Sequence, residues 1–456
     1  MLAEGAGDTP PPLDYYDSNA SKFLICNAAG RWLPLSVGDY KRHLRGRGLK
    51  NKADDGEPLS ETDEVILQVQ NHRDVSYNGP LCGRNAGPLF ENGARVLVTE
   101  DMKLPEPESG VWSTWKTFLE GLFLNSEEDK IGQDQLHTFY GWMKSSVEAL
   151  RAGREQQQQA LAICGPRDCG KSFIQHLITD MLAGRSAKAE RYLSGKTPFN
   201  ADLCAAEHLI LEDEYCSTKI TDRIKLGASL KQHTVGVTTT SLHAKGRNAV
   251  NIRPWWRVTI TLNDDPEAMM VLPPLDEHIE DKIILLRASR FDFPMPTATN
   301  AERTAFRKQL VREIPAFLHF LLHEWDIPDE LADCRRYNVA TFHHPYLAET
   351  LEGLSPEAGL LDLLDAAFEN DFAAYENIKL TANDIEDRLR HHDPRRSDKL
   401  FTYRNSCGTY LGRLARKHPD RIKANRTNTT RTWILYPSQI ADDLKPGCHG
   451  VTSRHE

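Results

Sequence analysis

The stretch Leu161–Ile178, "LAICGPRDCGKSFIQHLI", sets a run of small apolar residues before a Gly-Pro turn, a Gly-Lys-Ser triplet and an amphipathic run. Short apolar runs are typical of buried strands, and the apolar spacing after the lysine predicts a helix. Residues 165–172 between them fit the pattern G-x-x-x-x-G-K-[ST]. Glycines in that pattern let successive backbone N–H groups surround phosphate oxygens at the positive end of the helix. The stretch therefore predicts a phosphate-binding loop.

The residue types of this loop predict ATP and Mg²⁺ as its ligands. Lys171 is expected to reach the β- and γ-phosphates of ATP, and the hydroxyl of Ser172 to bind Mg²⁺. The alternative is a glycine-rich turn with an incidental lysine, but the preceding strand and following helix favour the functional interpretation. The predicted nucleotide-binding residues are Gly165, Pro166, Arg167, Asp168, Cys169, Gly170, Lys171 and Ser172.

A loop of this kind needs a carboxylate at the end of a neighbouring strand to hold the metal and orient water. The segment "HLILEDEY" (208–215), about forty residues later, supplies Glu212, Asp213 and Glu214. Alternation along a strand puts Glu212 and Glu214 on one face and Asp213 on the other. We interpret Glu212 and Asp213 as the working pair, with Asp213 on the metal and Glu214 as a spare. The alternative is a solvated acidic strand end.

A third polar group follows another predicted strand. "RVTITLNDDPE" (257–267) alternates and then ends in Asn263. Ligands of parallel sheets bind at the carboxyl edge, where such an amide could hold the attacking water or sense the γ-phosphate. Asn-Asp also starts turns, so the signal depends on its order after the loop and the acids.

Composition limits the remaining possibilities. The 456 residues exceed one compact core and predict two to four domains. A net charge of −9 means that any nucleic-acid surface must be local. The sequence contains no run of about 18 apolar residues that would predict a membrane span, and the first residues lack a signal-peptide pattern. Nine cysteines without a C-x-x-C pair favour neither a zinc ribbon nor a disulfide framework, so we expect a cytoplasmic protein.

Strands and helices alternate between Ala160 and about Ser289, which predicts a parallel α/β sheet. The candidate strands are "ALAICG", "EHLILED", "RVTITLND" and "KIILLRA". Upstream, "KFLICNAAGRWLPLS" predicts two strands, "VGDYKRHLRGRGL" a helix, and "VILQVQNHRDVSYNGPLCGRNAGPLFENGARVLVTE" further strands. The amino-terminal region is therefore expected to be α+β. Two helices, "WSTWKTFLEGLF" and "HTFYGWMKSSVEALRAG", precede the phosphate loop.

The order of these motifs over about residues 155–290 resembles that of the superfamily 3 helicases. These are the AAA+ ring ATPases of DNA viruses, phages, plasmids and integrated elements. More narrowly, the chain is similar to primase-helicase-type proteins of phages and mobile elements. The resemblance implies a replicative, ATP-dependent DNA helicase in a bacterial host cytoplasm, forming a homo-oligomeric ring, expected to be a hexamer, with 3′-to-5′ movement. A separate primase or polymerase would work beside it.

In that family a motif between the acids and the asparagine starts with a lysine and a glycine, which Lys231 and Gly236 match in "SLKQHTVGVTTTSLHAKGRN". It ends in a basic hairpin that projects into the ring channel, and His243, Lys245 and Arg247 match its tip. The residues alone point the same way, because cations at a loop apex bind phosphates irrespective of base sequence. Single-stranded DNA is the expected ligand, and an ordinary surface hairpin is the alternative.

Members of the family usually carry an arginine after the asparagine that reaches the nucleotide of the next subunit. Here Lys282 falls near that place, while Arg287 and Arg290 lie beyond it. A lysine cannot make the bidentate phosphate contact of a guanidinium. All three therefore stay candidates, and Lys282 could instead be a surface charge beside a strand.

From Lys379 to Tyr436 the chain has 14 Lys and Arg against 6 Asp and Glu, a difference of +8. "PEAGLLDLLDAAF", "TANDIEDRLRHH" and "CGTYLGRLARKHPDR" predict helices, and "RIKANRTNTTRTWILYP" predicts a hairpin. That order predicts a winged helix-turn-helix that binds duplex DNA. The expected DNA contacts are Arg413, Arg416 and Lys417 on the last helix and Arg426 at the wing. The alternative is a protein-docking domain with solvated charges.

We therefore predict an α/β AAA+ core with flanking domains. The predicted boundaries are an amino-terminal α+β domain at 1–112, a helical linker or collar at 113–153, the ATPase at 154–345 and the winged helix at 346–456. The alternative function is an ATP-regulated DNA-binding initiator or switch without processive unwinding. The basic hairpin favours the helicase.

Overall fold

The computed structural model describes residues 13–124, 128–212, 219–235, 239–245, 248–333, 335–426 and 431–438. The chain forms two compact units, Met1–Leu347 and Ala348–Glu456. Predicted residues Asp213, Glu214, Gly236 and Arg247 lie outside the described residues.

The amino-terminal part of the first unit contains two small sheets and two helices. Its elements are β1 (Tyr15–Asp17), β2 (Lys22–Cys26), β3 (Trp32–Leu35), α1 (Val37–Gly46), α2 (Glu61–His72), β4 (Asp74–Val75), β5 (Tyr77–Gly79), β6 (Gly87–Glu91) and β7 (Ala94–Val98). The strand orders are β3-β2-β1-β4 and β5-β7-β6.

Helix α2 replaces a predicted strand. The segment "VILQVQ" alternates in sequence, yet it lies in the middle of this helix. Ser60 caps the helix by accepting from the Asp63 N–H, and acidic residues in the first turn favour its positive end. Ile66 and Val69, three residues apart, are both buried. The strand prediction was wrong because capping and helical spacing outweighed a short alternation.

Two long helices, α3 (Ser113–Phe123) and α4 (Asp129–Arg151), follow. Both match helices that the sequence predicts. Their buried Trp115 and Trp142 belong to the same hydrophobic cluster as Leu161 and Ile284 of the central sheet. These helices therefore share one core with the sheet.

The central sheet has the strand order β14-β8-β13-β10-β9, and every neighbouring pair is parallel. Its region comprises β8 (Ala160–Gly165), α5 (Lys171–Met181), β9 (Ser186–Lys188), α6 (Glu190–Leu193), α7 (Ala201–Cys204), β10 (His208–Glu212), α8 (Ile220–Val235), β11 (Thr240–Leu242), β12 (Val250–Ile252), β13 (Arg257–Asn263), α9 (Pro266–Met269) and β14 (Ile283–Arg287). The predicted parallel sheet and its four strands are confirmed. The three-residue edge strand β9 was not predicted.

Beyond the sheet, α10 (Asn300–His319) starts at a capping box of Thr299 and Glu302. A π-helical turn, Phe320–Glu324, continues it. Strands β15 (Ala332–Asp333) and β16 (Asn338–Val339) then pair, and α11 (Pro345–Gly353) follows.

The second unit has its own hydrophobic core around the buried Tyr410 and Trp433. Its elements after α11 are α12 (Pro356–Glu369), β17 (Ile378–Thr381), α13 (Ala382–His392), α14 (Pro394–Leu400), α15 (Ser406–Lys417), β18 (Ile422–Arg426) and β19 (Arg431–Leu435). The three strands form an antiparallel sheet in the order β17-β19-β18. Thr381 and Asp384 form a capping box at the start of α13, a helix that the sequence predicts. Across the described residues, no helix combines the length and apolar character needed to cross a membrane.

Candidate nucleotide-binding site

The loop between β8 and α5 has the backbone that the glycines predict. Gly170 has φ +102° and Asp168 φ +62°, both in the left-handed region. Glycine adopts that region without penalty, and Asp is among the few other residues that tolerate it. At Gly165 a Cβ atom would lie 2.3 Å from the Ala288 carbonyl oxygen, so a side chain would not fit there. The loop geometry thus depends on the glycines at both of its ends.

Lys171 occupies the centre of the loop. Its buried Nζ donates to the carbonyl oxygens of Gly165 at 2.9 Å and Pro166 at 2.7 Å. It also donates to Oδ1 of Asn263 at 3.2 Å. Asn263 pairs in register with Gly165, at the carboxyl edge of the parallel strands. The structure therefore brings together the lysine and the asparagine that the sequence predicts, and it aims an ammonium at the place where an anion would lie.

Two arginines lie beside the loop of their own chain. Nη2 of Arg287 donates to Oδ2 of Asp264 at 3.4 Å, and the Asp264 N–H donates to the Gly165 oxygen at 3.2 Å. Nε and Nη2 of Arg290 donate to the Arg167 carbonyl oxygen at 3.2 and 3.1 Å. Arg290 therefore adds positive charge next to the loop, whereas the charge of Arg287 is paired with Asp264.

Lys282 lies elsewhere. It precedes β14, whereas Arg287 ends it, so the two mark opposite edges of the parallel sheet. The Lys282 side chain is buried and forms an ion pair with Asp281, which is also 3.6 Å from Arg336. To reach a nucleotide in another subunit, this ammonium would have to leave both its buried position and its ion pair with Asp281. The placement does not favour the predicted catalytic role.

Only one of the three predicted acids is among the described residues. Glu212 ends β10, opposite Thr261 in the neighbouring strand and two residues short of the level of Asn263. Its carboxylate accepts from Nζ of Lys188 at 2.7 Å. Glu212 is thus engaged by the edge strand β9.

A cavity of about 420 Å³ opens beside the loop. One wall is the polar stretch 168–173, which includes the exposed hydroxyl-bearing Ser172. The other wall carries aromatic rings, and those of Phe293 and Phe306 lie 5.8 Å apart. The remaining lining residues are Thr297 and Arg303. A cavity that joins a phosphate-binding loop to aromatic rings suits a nucleoside.

Two cysteines flank the loop without adding negative charge. Burial raises the pKa of the Cys164 thiol to about 12. Burial also raises the pKa of Cys169, although the Lys171 ammonium acts in the opposite direction. Both thiols are therefore neutral near pH 7 and do not repel a phosphate. In the part of the chain that the structure describes, no three His, Cys, Asp or Glu residues are placed to hold a metal ion.

The predicted basic hairpin is present as β11 and β12, with Ser241 opposite Asn251. Lys245 is exposed beyond the end of β11, and Lys231 is exposed on α8. On the other strand, Nδ2 of Asn92 donates to the Asn251 carbonyl oxygen at 3.0 Å. The Arg253 N–H donates to the Glu91 carboxylate at 2.8 Å. The turn between β6 and β7, in the amino-terminal part of the chain, therefore holds the second strand of the hairpin.

In the second unit two of the predicted cations form ion pairs with glutamates, and several cations line a groove. Nη1 of Arg413 donates to Glu357 at 2.9 Å, and Nζ of Lys417 donates to Glu352 at 2.9 Å. A groove of about 990 Å³ runs between α13, α15 and the strands β18 and β19. Its cationic lining residues are Arg413, Arg416, Lys423 and Arg431. The exposed Arg426 lies opposite Arg431 at the end of β18.

Comparisons with known proteins identify a fold and no family. No family model and no curated protein matches the chain. The solved apo structure of the NrS-1 C-terminal region (305–718) has a TM-score of 0.52 at 11% identity, covering 93% of this chain and 95% of that one. A second apo form of that region gives a TM-score of 0.50 at 11% identity, over 93% and 96% of the two chains. The chain therefore shares a fold with the NrS-1 C-terminal region.

A weaker likeness, with a TM-score of 0.43 at 11% identity, covers 95% of this chain and 94% of a structure described as "SCCmec type IV Cch - active helicase". No conclusion about this chain follows from it.

Proposed function

We propose that this chain is an ATP-driven DNA helicase that works as a ring of identical subunits in the replication of a phage or mobile element. The observation that carries the proposal is the bond between Lys171 and Asn263, because it joins the phosphate loop to the strand end where hydrolysis would be sensed. The strand order of the parallel sheet, with the loop strand β8 between β14 and β13, supports an AAA+ core.

The nucleotide part of the proposal uses the residues around the loop. Lys171 exchanges its carbonyl partners for the β- and γ-phosphates of ATP, and Asn263 orients the attacking water. Ser172 and Asp213 would hold Mg²⁺, which when bound would neutralise charge on the phosphates. The base enters the cavity beside Phe293 and Phe306.

The positions of the arginines change which residues are assigned to the nucleotide. Arg287 and Arg290 lie at the loop of their own chain, so we assign them to the ATP bound there. Fixed positive charge beside the γ-phosphate stabilises charge that develops during phosphoryl transfer. Neither of these two arginines is then assigned to the nucleotide of the neighbouring subunit.

The nucleic-acid part rests on the hairpin. Lys245, with His243 and Arg247, would contact the phosphates of one DNA strand, and contacts of this kind do not depend on base sequence. In a closed ring such tips line one channel, so ATP turnover in successive subunits would move the strand. We propose 3′-to-5′ movement, with a hexamer as the ring.

The second unit supports a winged helix that binds duplex DNA. Its order of helices and its three-stranded sheet fit that domain, and the groove along α15 carries several cations. We assign Arg416, Lys423, Arg426 and Arg431 to the DNA. Arg413 and Lys417 instead hold α15 through Glu357 and Glu352.

An unwinding assay tests the proposal. The full-length protein, ATP and Mg²⁺ are mixed with labelled forks that carry only a 3′ tail or only a 5′ tail. The proposal predicts strand release that needs ATP, is lost in Lys171→Ala, and prefers the 3′ tail. Mass photometry with and without ATP and fork measures the ring size. A fork that stays duplex with the unaltered protein would refute the motor.

The groove in the second unit also favours a second candidate, an ATP-regulated initiator or switch that binds duplex DNA without unwinding it. In that case ATP would change duplex affinity, and neither fork would be separated. The same samples, measured by fluorescence anisotropy on a duplex and by strand release on a fork, separate the two functions.

A further inference from the structure

Asn200 connects the region before the acidic strand to the basic hairpin. The residue is fully buried, just before α7. Its Oδ1 accepts from the His243 N–H at 2.7 Å, and its own N–H donates to the His243 carbonyl oxygen at 3.2 Å. Its Nδ2 donates to the Ser241 carbonyl oxygen at 3.0 Å. One asparagine thus makes three hydrogen bonds to β11 and the residue that follows it.

These bonds are not a by-product of helix capping. Asparagine is among the favoured residues at a helix start, where its side chain accepts from a backbone N–H of the first turn. Asn200 stands at the start of α7, yet it makes no side-chain cap bond there. Its side chain serves the hairpin instead. Because buried amide groups are costly to leave unpaired, the hydrogen bonds fix β11 against the body of the unit.

The anchor lies close to the predicted DNA contact. Lys245 is exposed and only two residues beyond His243, whose backbone N–H and C=O both bond Asn200. Two residues span at most about 7 Å of chain. Asn200 therefore fixes the backbone of the hairpin within two residues of Lys245.

A series of contacts between rings leads from the neighbourhood of Asn200 to the central sheet. Tyr192 of α6 lies beside Asn200, and the ring of Tyr192 lies 5.5 Å from that of His233 on α8. His233 lies 5.6 Å from Trp256, which immediately precedes β13. That strand ends at Asn263, the partner of Lys171. A series of contacts thus leads from the hairpin anchor through α6 and α8 to the amino end of β13, the strand whose other end carries Asn263.

We propose that Asn200 is a positioning residue that holds the Lys245 tip where it binds the phosphates of a single-stranded polynucleotide and responds to ATP turnover. The inference rests on the proposed function and deepens it, because it names the residue through which the hairpin is aimed.

The test measures full-length Asn200→Ala with a fluorescent oligo-dT strand. We expect the affinity for the strand to fall about tenfold, which is the size expected when about two hydrogen bonds that orient the tip are lost. The ratio of strand-stimulated to basal ATP hydrolysis should fall with it. Asn200→Asp keeps the acceptor for the His243 N–H but turns a buried carboxylate oxygen towards the Ser241 carbonyl oxygen, so it should weaken strand binding at least as much as Asn200→Ala. Asn370→Ala, which removes one side-chain bond to Ala366 in the second unit, is the matched control and should bind normally.

A double-mutant cycle separates positioning from general destabilisation. If Asn200 acts through Lys245, then Asn200→Ala should weaken strand binding no further in a Lys245→Ala background. A thermal melt of each variant records folding. Additive losses, or normal strand binding by both Asn200 variants, would overturn the inference. If instead the unaltered protein neither hydrolyses ATP nor binds the strand, the proposed function itself fails.

Discussion

Nζ of Lys171 and Oδ1 of Asn263, 92 residues apart in sequence, lie 3.2 Å apart across the carboxyl edge of the central sheet. In the proposed function the two residues have different roles. The lysine would bind phosphate, and the asparagine, one strand away, would orient the attacking water.

The first prediction separates these roles. Lys171→Ala should abolish ATP binding, whereas Asn263→Ala should bind ATP but lose about 10²-fold or more in kcat, as expected for one positioned polar group in hydrolysis. Calorimetry measures the binding and phosphate release measures the rate. Normal ATP affinity in Lys171→Ala would contradict the loop assignment.

Arg290 and Lys282 provide a second, paired prediction. Arg290→Ala should lower ATP affinity or turnover about tenfold, because a charge-assisted contact beside the phosphates is lost. Lys282→Ala should leave the ATP parameters close to normal and lower the melting temperature, since Asp281 would lose its buried partner. Both variants are compared by ATPase kinetics and thermal melting. A turnover defect in Lys282→Ala with unchanged stability would restore its predicted catalytic role.

Removing cations from the strands and from the helix that line the groove in the second unit tests whether the groove binds DNA. Lys423→Ala and Arg431→Ala should each weaken duplex binding and reduce the salt slope by about one. Arg413→Ala should chiefly lower the melting temperature, because the largely buried Glu357 carboxylate would lose its partner. Anisotropy titrations at several salt concentrations provide the slopes. Equal loss of binding in all three variants would show that Arg413 also contacts the DNA.

Stability should fall in mild acid because of His208. Burial lowers the pKa of its imidazole to about 3, with a smaller contribution from nearby His176. Its ring nitrogens lie 2.7 Å from the hydroxyls of Thr179 and Thr259. The unfolded chain takes up a proton near pH 6.5, whereas the folded chain does so only near pH 3.

This contribution to stability is therefore complete above about pH 6.5 and is lost as the pH falls towards 3, at up to ~1.4 kcal/mol per pH unit. Denaturant unfolding at pH 7.5 and pH 5.5 measures the loss. His208→Gln should unfold more easily at pH 7.5 but show a flatter pH dependence. An equally steep dependence in that variant would assign the effect to other groups.

The sequence predicted the nucleotide site better than its surroundings, for a physical reason. A phosphate loop needs glycines and a lysine at fixed spacing, so Gly165, Gly170 and Lys171 could be identified as candidate loop residues from the sequence alone. The cavity wall of Phe293 and Phe306 follows more than 120 residues later and depends on how α10 packs, which no local pattern records.

Helix faces explain the other differences. Arg413 and Lys417 both look available on α15 in sequence, but the folded unit shows that Glu357 binds the first and Glu352 the second. The carboxylates of α11 and α12 lie about 56 to 65 residues earlier, too far for a sequence pattern to connect. Asn200 was missed for the same reason, because its partners on the hairpin are 41 to 43 residues away.

The turn between β6 and β7, which bonds β12 through Glu91 and Asn92, has a consequence for evolution. Two segments about 160 residues apart in sequence share one joint, and both of its bonds end on backbone atoms of Asn251 and Arg253. Among relatives of this protein, side chains at 251–253 should therefore vary more freely than those at 91–92, and chimaeras that exchange only the first hundred residues should keep the joint when the new segment supplies both polar side chains.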